Sequence, residues 1–404
     1  MDNGTSPYSY RTRMRLTTTG SARNFSGGIV GRVATQDVPL AFRGQHIRFL
    51  ARGAEQSVDL AGYRAILSHD DFATDRPIVD RLREADHFRS GDIVVLEGDS
   101  GFVRSLYRPY EHHHSLFVTE RCNSNCLMCS QPPKDRDDVA ALAERNRELI
   151  RLMYPAPEYL TITGGEPTLL GDALFDLLEQ LKAWLPRTEL HILTNGRTFA
   201  WPQYASRLGA LRHPNLSLGV PLYSDFAGEH DYIVQAEGAF DQTVSGLHQA
   251  ARNQIRVEVR VVLHRLSIPR LTRLVEYIYR NLTFVEHVAL MGLEYVGYTP
   301  RNIAELWIDP FDYQDELEKA VQYLSMRNVP VSIYNHQLCV LRPSLWQYAR
   351  KSISDWKNLY LPECEKCGVL DECGGLFQWA VKKHSEHIHA LSKTECWADR
   401  VPKP

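Results

Sequence analysis

Long apolar runs are missing from this chain of 404 residues: no stretch approaches the ~18 to 20 consecutive apolar residues of a membrane helix. The N-terminus also lacks the apolar centre of a secretory signal, so the expected setting is the cytoplasm with no membrane partner. A surplus of one charge is missing too. Lys and Arg total 46 against 49 Asp and Glu, a net charge of -3, and a duplex nucleic acid partner thereby loses its main electrostatic support. Cysteine is scarce, with eight in all, far below the density of a secreted disulfide scaffold. Those eight fall in two tight groups, which in a reducing compartment reads as metal ligation. With 44% hydrophobic and 24% charged residues the composition is globular, and the length predicts two or three domains.

Residues 1–28 are rich in Ser, Thr, Gly and Arg without apolar periodicity and read as a weakly ordered arm. Residues 29–110 suit short strands: Ile47 to Leu50, Tyr63 to Ser68, and a hairpin of Ile93 to Glu97 and Phe102 to Tyr107 around Gly98-Asp99-Ser100-Gly101. This β-rich domain is expected to act as a docking module or a lid. From 111 to 300, strands alternate with helical patterns, which predicts a parallel sheet with crossover helices. Six strands are expected: Leu116 to Thr119, Tyr159 to Thr163, Leu190 to Thr194, Leu216 to Leu222, Val257 to His264 and Val288 to Leu293. Together they give an α/β fold, a partial (β/α)6 barrel, followed over 301–404 by a cysteine-rich C-terminal domain.

After the first strand comes Cys122-Asn123-Ser124-Asn125-Cys126-Leu127-Met128-Cys129, a C-x3-C-x2-C loop. Three thiolates there can hold three corners of a [4Fe-4S] cube and leave the fourth iron open to a ligand. A structural zinc needs a fourth donor, such as His112 or His114. After the second strand stands Gly164-Gly165-Glu166-Pro167, where glycines permit close backbone approach and a carboxylate suits an ammonium. In parallel βα architectures reactive groups collect at the carboxyl ends of strands, and Thr194-Asn195-Gly196, Tyr223-Ser224-Asp225, His264 and Glu294 all fall on that rim.

The loop, with bulky Met128 before its third cysteine, and the Gly164-Gly165-Glu166 segment together resemble the radical S-adenosylmethionine (SAM) enzymes. That resemblance implies a [4Fe-4S] cluster on Cys122, Cys126 and Cys129, with SAM bound to the open iron. It implies that Gly164 to Glu166 meet the methionyl amine, and that a residue on strand four or five, with Ser224 and Arg260 the candidates beside Asn195, meets the ribose or carboxylate. It also implies reductive cleavage of SAM to a 5'-deoxyadenosyl radical, fed by an external electron donor of the flavodoxin or ferredoxin type.

The second group is Cys364-x2-Cys367-x5-Cys373, with Cys339 upstream. Four thiolates suit an auxiliary [4Fe-4S] cluster with every iron ligated, or a tetrahedral zinc. The spacing resembles part of the SPASM or twitch extensions of peptide-modifying radical enzymes, although Gly374 and Gly375 replace the usual further cysteines. Cys396 is left over, as a substitute ligand or a buried thiol. His112 to His114 and His384, His387 and His389 read as solvated surface histidines. Segments 116–133, Val220 to Asp225 and Glu229 to Asp231 resemble the His-Xaa-Ser system radical SAM maturases. That likeness implies a ribosomally made peptide as substrate and a second radical maturase as a possible partner. The rival readings are a radical SAM enzyme for a small metabolite or nucleoside, and a metal-stapled peptide-binding subunit without turnover.

Overall fold

The computed structural model describes residues 16–351 and 359–392. Its N-terminal part is one sheet of eight strands: β1 (Thr17–Thr19), β2 (Ser21–Arg23), β3 (Gly28–Ala34), β4 (His46–Leu50), β5 (Ala65–Ser68), β6 (Ile78–Asp80), β7 (Ile93–Glu97) and β8 (Phe102–Tyr107). The expected hairpin is present as the antiparallel pair β7–β8. The arm reading is corrected for residues 17–23, because β1 pairs with β8 at one edge of the sheet and β2 pairs with β6 at the other. A single kinked stretch therefore spans both edges and closes the sheet on itself around Val33, Ile47, Leu67, Val79, Leu96 and Val103. Gly20 sits at the kink, where a Cβ would lie 2.3 Å from the Asp80 carbonyl oxygen. Polar residues with no periodicity form these strands because the partner edges, not their own side chains, supply the order.

The second sheet holds seven parallel strands in sequence order: β9 (His113–Phe117), β10 (Tyr159–Thr163), β11 (Glu189–Leu193), β12 (Leu216–Pro221), β13 (Arg256–Leu263), β14 (His287–Gly292) and β15 (Val331–Tyr334). Six were expected. The seventh, β15, pairs in parallel with β14 from Val288↔Val331 to Met291↔Tyr334, so the barrel runs past the boundary expected at 300. Helices Val139–Leu152, Asp172–Trp184, Ala239–Arg252, Leu271–Asn281 and Gln314–Ser325 pack their apolar stripes on one face of this sheet. The short helices Pro202–Ala210 and Ala227–Val234 were not foreseen. Among the described residues no helix is long and apolar enough to cross a membrane.

Val30, Ile93, Val95 and Tyr107 join the barrel's own core. Arg64 pairs with Glu148 at 2.6 Å, Arg32 donates to the Leu152 carbonyl and Tyr107 to that of Pro155. The N-terminal domain thus rides on the first crossover helix, on the outer layer of the barrel. That placement does not make it a lid over the rim. After β15 the chain runs through single turns at Pro343–Tyr348, Pro362–Lys366 and Gln378–Lys382, with one bridge between Leu359 and Leu376. Cys396 lies outside the described residues.

Candidate functional site

The cysteine loop hangs between four separate pieces of chain. Asp138 receives Thr119 Oγ1 at 2.8 Å and the Glu120 N–H at 2.6 Å, which fixes the entry to the loop. Asn125 and Leu127 donate backbone N–H groups to the carbonyls of Val234 and Ile233, both at 3.0 Å, so the end of helix Ala227–Val234 pairs with the loop as a strand would. Asn302 Nδ2 donates to the Leu127 carbonyl at 2.7 Å and the Tyr298 N–H to that of Cys129 at 2.9 Å. Gly297, at φ +63, brings the backbone so near that a Cβ would sit 2.1 Å from the Cys129 carbonyl oxygen. Met128 points down into Tyr223, Ile233, Val234, Ala239 and Leu306, and anchors the loop by burial.

Cys122, Cys126 and Cys129 carry free thiols. Burial, with neighbouring cysteines adding to it, pushes Cys122 up to about 11 and Cys126 up to about 12. Burial raises Cys129 as well. Three coupled thiols that resist ionisation on their own form a donor set suited to a cationic iron-sulfur core, which takes the protons' place. His114 does not complete a zinc site. It lies near the start of β9, with Nε2 2.9 Å from the Glu111 carbonyl and its ring 4.3 Å from that of Tyr107, and burial pushes it down to about 4. It is therefore no surface histidine either. Among the described residues no three His, Cys, Asp or Glu side chains converge on a single-ion point.

Gly164 and Gly165 do what glycines were expected to do, but toward the cysteine loop. A Cβ on Gly165 would lie 2.0 Å from the Arg121 carbonyl oxygen, and one on Gly164 2.5 Å from that of Thr119. Their own carbonyls accept no hydrogen bond among the described residues, whereas the N–H groups of Gly165 and Glu166 are tied to Thr119 and Arg121. The Glu166 carboxylate, expected to meet the methionyl amine, also serves as a strut between strands. It is 1% exposed and accepts from Thr194 Oγ1 at 2.6 Å, Thr168 Oγ1 at 2.7 Å, the Thr168 N–H at 3.0 Å and the Asn195 N–H at 2.7 Å. Burial raises its pKa, and those four donors oppose the rise. The amide that it seats, Asn195, donates from Nδ2 to Asn123 Oδ1 at 2.6 Å and so joins β11 to the loop. Glu166→Gln should put an amide N–H against donors and lower stability by about 1 to 3 kcal/mol, read as a drop in thermal midpoint. An unchanged midpoint with weakened SAM binding would return the carboxylate to the ligand.

Ser224 and Arg260 are likewise occupied. Ser224 Oγ donates to Glu229 Oε2 at 2.8 Å and accepts the Phe226 N–H at 3.1 Å, closing the turn into helix Ala227–Val234. Arg260 Nη1 donates to Glu258 Oε1 at 2.6 Å inside the barrel. The other oxygen of Glu258 meets His287 Nδ1 at 2.7 Å, and this pairing holds the Glu258 carboxyl well below the usual range against its burial. The rim groups with polar atoms to spare are their neighbours. Tyr223 is 7% exposed and its hydroxyl has no hydrogen-bond partner among the described residues. His264 is fully buried; its Nδ1 accepts the Leu266 N–H at 3.2 Å, which leaves Nε2–H as the donor, and Nε2 is unpartnered. The two rings lie 6.2 Å apart, and the Tyr223 hydroxyl is within electrostatic reach of Cys126 and Cys129. A buried unpaired donor costs about 1 to 3 kcal/mol, which makes His264 Nε2, with Tyr223 beside it, a candidate contact for a ligand.

Residues 116–277 match the family model of the radical SAM superfamily. The chain carries a radical SAM domain. A domain of that superfamily implies a [4Fe-4S] cluster and SAM, and the three thiols with the two open glycine carbonyls fit those groups. GTP 3',8-cyclase of Peptoclostridium acidaminophilum is 28% identical over 141 residues, which is 33% of this chain and 41% of the cyclase. Pre-heme d1 synthase of Dinoroseobacter shibae is 26% identical over 183 residues, 43% of each protein. The chain thus spans less than half the length of either curated relative. SuiB of Streptococcus suis bound to S-adenosylmethionine aligns at 15% identity over 56% of this chain and 50% of its own, with a TM-score of 0.45.

Beside the radical SAM domain the tail gathers its cysteines. Cys339, Cys364, Cys367 and Cys373 line one cavity of about 340 Å³ together with His389. Backbone N–H groups of Leu391 and Gly375 reach the sulfurs of Cys367 and Cys373 at 3.5 Å. Burial pushes Cys339 up to about 11. A larger open cavity of about 640 Å³ shares Gln337, Gly375 and Leu376 with it and reaches Leu263, Leu293 and Glu294 on the barrel rim. His384 and His389 face these cavities, whereas His387 stacks on Phe311 at 3.9 Å. His384 is half-buried, whereas His387 and His389 are exposed, as the sequence suggested.

Proposed function

We propose that this chain is a radical SAM peptide maturase with an auxiliary [4Fe-4S] cluster on Cys339, Cys364, Cys367 and Cys373. The observation that carries the reading is the cavity wedged between the barrel rim and the pocket of four cysteines, with Gln337, Gly375 and Leu376 as a common wall. Cys122, Cys126 and Cys129 would hold a [4Fe-4S] cluster, which when reduced would supply the electron for cleavage of SAM to a 5'-deoxyadenosyl radical. The chain's own residues then have definite tasks. The Gly164 and Gly165 carbonyls would accept the methionyl ammonium, and Tyr223 Oη–H and His264 Nε2–H would be donors for adenosyl or substrate oxygens. Burial pushes His264 down to about 3, so the ring stays neutral and, with Nδ1 engaged by the Leu266 N–H, offers Nε2–H as its free donor.

The cavity is walled by Trp307, Tyr313 and Phe377 and carries one anion, Glu294, and one cation, Lys383. Aromatic walls with opposite charges suit a peptide segment, and Glu294 opposes a triphosphate. Strand addition to the N-terminal sheet is not part of this reading, since β1 and β2 occupy its two edges. An external donor of the flavodoxin or ferredoxin type feeds the cluster, and a second radical maturase is a candidate partner. Peptides encoded beside the gene, incubated with reconstituted enzyme, SAM and dithionite, are expected to lose about two hydrogens by mass spectrometry while 5'-deoxyadenosine accumulates. If such peptides stay unchanged and a nucleotide or other metabolite is converted instead, the small-molecule reading replaces this one.

A further inference from the structure

Arg197 follows Asn195-Gly196 on the rim after β11, and nothing in the loop's spacing announces it. Its guanidinium reaches across to the cysteine loop, where Nη1 donates to the Asn123 carbonyl and, at 3.1 Å, to Ser124 Oγ. From the other side Nε donates to Gln242 Oε1 at 2.7 Å, on helix Ala239–Arg252. All of these acceptors are neutral. Among the described residues no carboxylate pairs with Arg197, although other half-buried arginines of the barrel, Arg260 and Arg270, each have one. A half-buried cation without an anion is costly unless something nearby supplies the charge. The groups that can supply it are the thiols of the loop it grips, since Asn123 and Ser124 lie between Cys122 and Cys126.

We propose that Arg197 is a positioning and charge-balancing residue for the cluster on Cys122, Cys126 and Cys129, and that it raises that cluster's reduction potential. The inference rests on the radical SAM reading of the triplet. A 2+ core on three thiolates has a net charge of -1, and one electron from the external donor takes it to -2. A fixed cation beside the loop stabilises the second state more than the first, and cluster potentials respond to nearby charge and to hydrogen bonding. The fork also holds Asn123 and Ser124 in place between Cys122 and Cys126, so charge and loop geometry come from the same side chain.

The test is an anaerobic redox titration of the reconstituted full chain without SAM, followed by the electron paramagnetic resonance signal of the reduced cluster, with iron content measured alongside. Arg197→Gln is expected to keep its iron and to show about a tenfold lower reduced-to-oxidised ratio at a fixed potential, which is 59 mV for a one-electron couple. Arg197→Lys, which keeps the charge, is expected to stay within about threefold of the wild type. Gln242→Glu, which neutralises the cation from the far side of the loop, is expected to move in the same direction as Arg197→Gln, and it alone decides if Arg197→Gln loads less iron. The inference is overturned if Arg197→Gln, fully loaded, titrates within about twofold of the wild type, or if Gln242→Glu does so when it is the deciding variant. A wild-type chain that binds no cluster overturns the functional reading instead.

Discussion

Replacing Cys122, Cys126 and Cys129 together by alanine is expected to remove about half of the roughly eight irons of the reconstituted chain and to end release of 5'-deoxyadenosine. The three side chains lie on one loop held at Asp138, Val234, Tyr298 and Asn302, none of which is a ligand, so the scaffold around the loop should survive their loss. The remaining irons should persist because Cys339, Cys364, Cys367 and Cys373 line a separate pocket in the tail. Iron and zinc analysis with a product assay reads the outcome. A wild-type chain that saturates at about four irons with one zinc would falsify the auxiliary cluster. A triple variant that keeps all its iron would remove the radical SAM assignment of the loop.

The second large effect is acid lability. Burial pushes His114, His230 and His336 down to about 4 and His264 down to about 3. The ordinary histidine value near 6.5 applies to the unfolded chain, which therefore takes up protons that the folded chain refuses. Their contribution is present above pH ~6.5 and is lost as the pH falls toward ~4. At about 1.4 kcal/mol per unit and about two units or more each, four histidines withdraw on the order of 10 kcal/mol, similar to the whole stability of a domain. Asp92, which burial raises to about 6, and Glu166 act in the opposite sense and temper the loss. Near-ultraviolet circular dichroism should collapse cooperatively at a pH of about 4.5 to 5.5, with cluster absorbance recorded in parallel to separate iron loss from unfolding. Retention of the native spectrum and thermal midpoint at pH ~4.5 would show that these rings meet water.

The chemistry-bearing loop was legible in the sequence because its signal is local: three cysteines at fixed spacing after a strand, and Gly164-Gly165 after the next. The strands of the barrel were legible for the same reason, as short apolar runs between turn signals. What escaped was set by partners far along the chain. Thr17–Thr19 and Ser21–Arg23 have no apolar pattern and become strands only because β8 and β6 offer free edges. Val331–Tyr334 is a short run of strand-forming residues, but only its register against β14 makes it part of the barrel. Glu166 looked like a ligand because a carboxylate beside two glycines suits an ammonium, yet Thr168, Thr194 and Asn195 claim both of its oxygens. The Ser224 hydroxyl is used by the turn into helix Ala227–Val234, a local role that its place after the fourth strand does not announce.

The stretch Thr17–Arg23 also sets the order in which the chain can finish folding. Thr17 stands opposite Arg104, and Ser21 opposite Asp80. During synthesis the first strands to leave the ribosome have no partner until β6 and then β8 have emerged, so the sheet is sealed last by the residues made first. Pairings of such long sequence separation close slowly. In the interval both edges of a half-built sheet are open to other chains, the condition under which nascent β domains aggregate. A fusion placed directly before residue 17 burdens that closing step, whereas a fusion after residue 392 leaves it untouched.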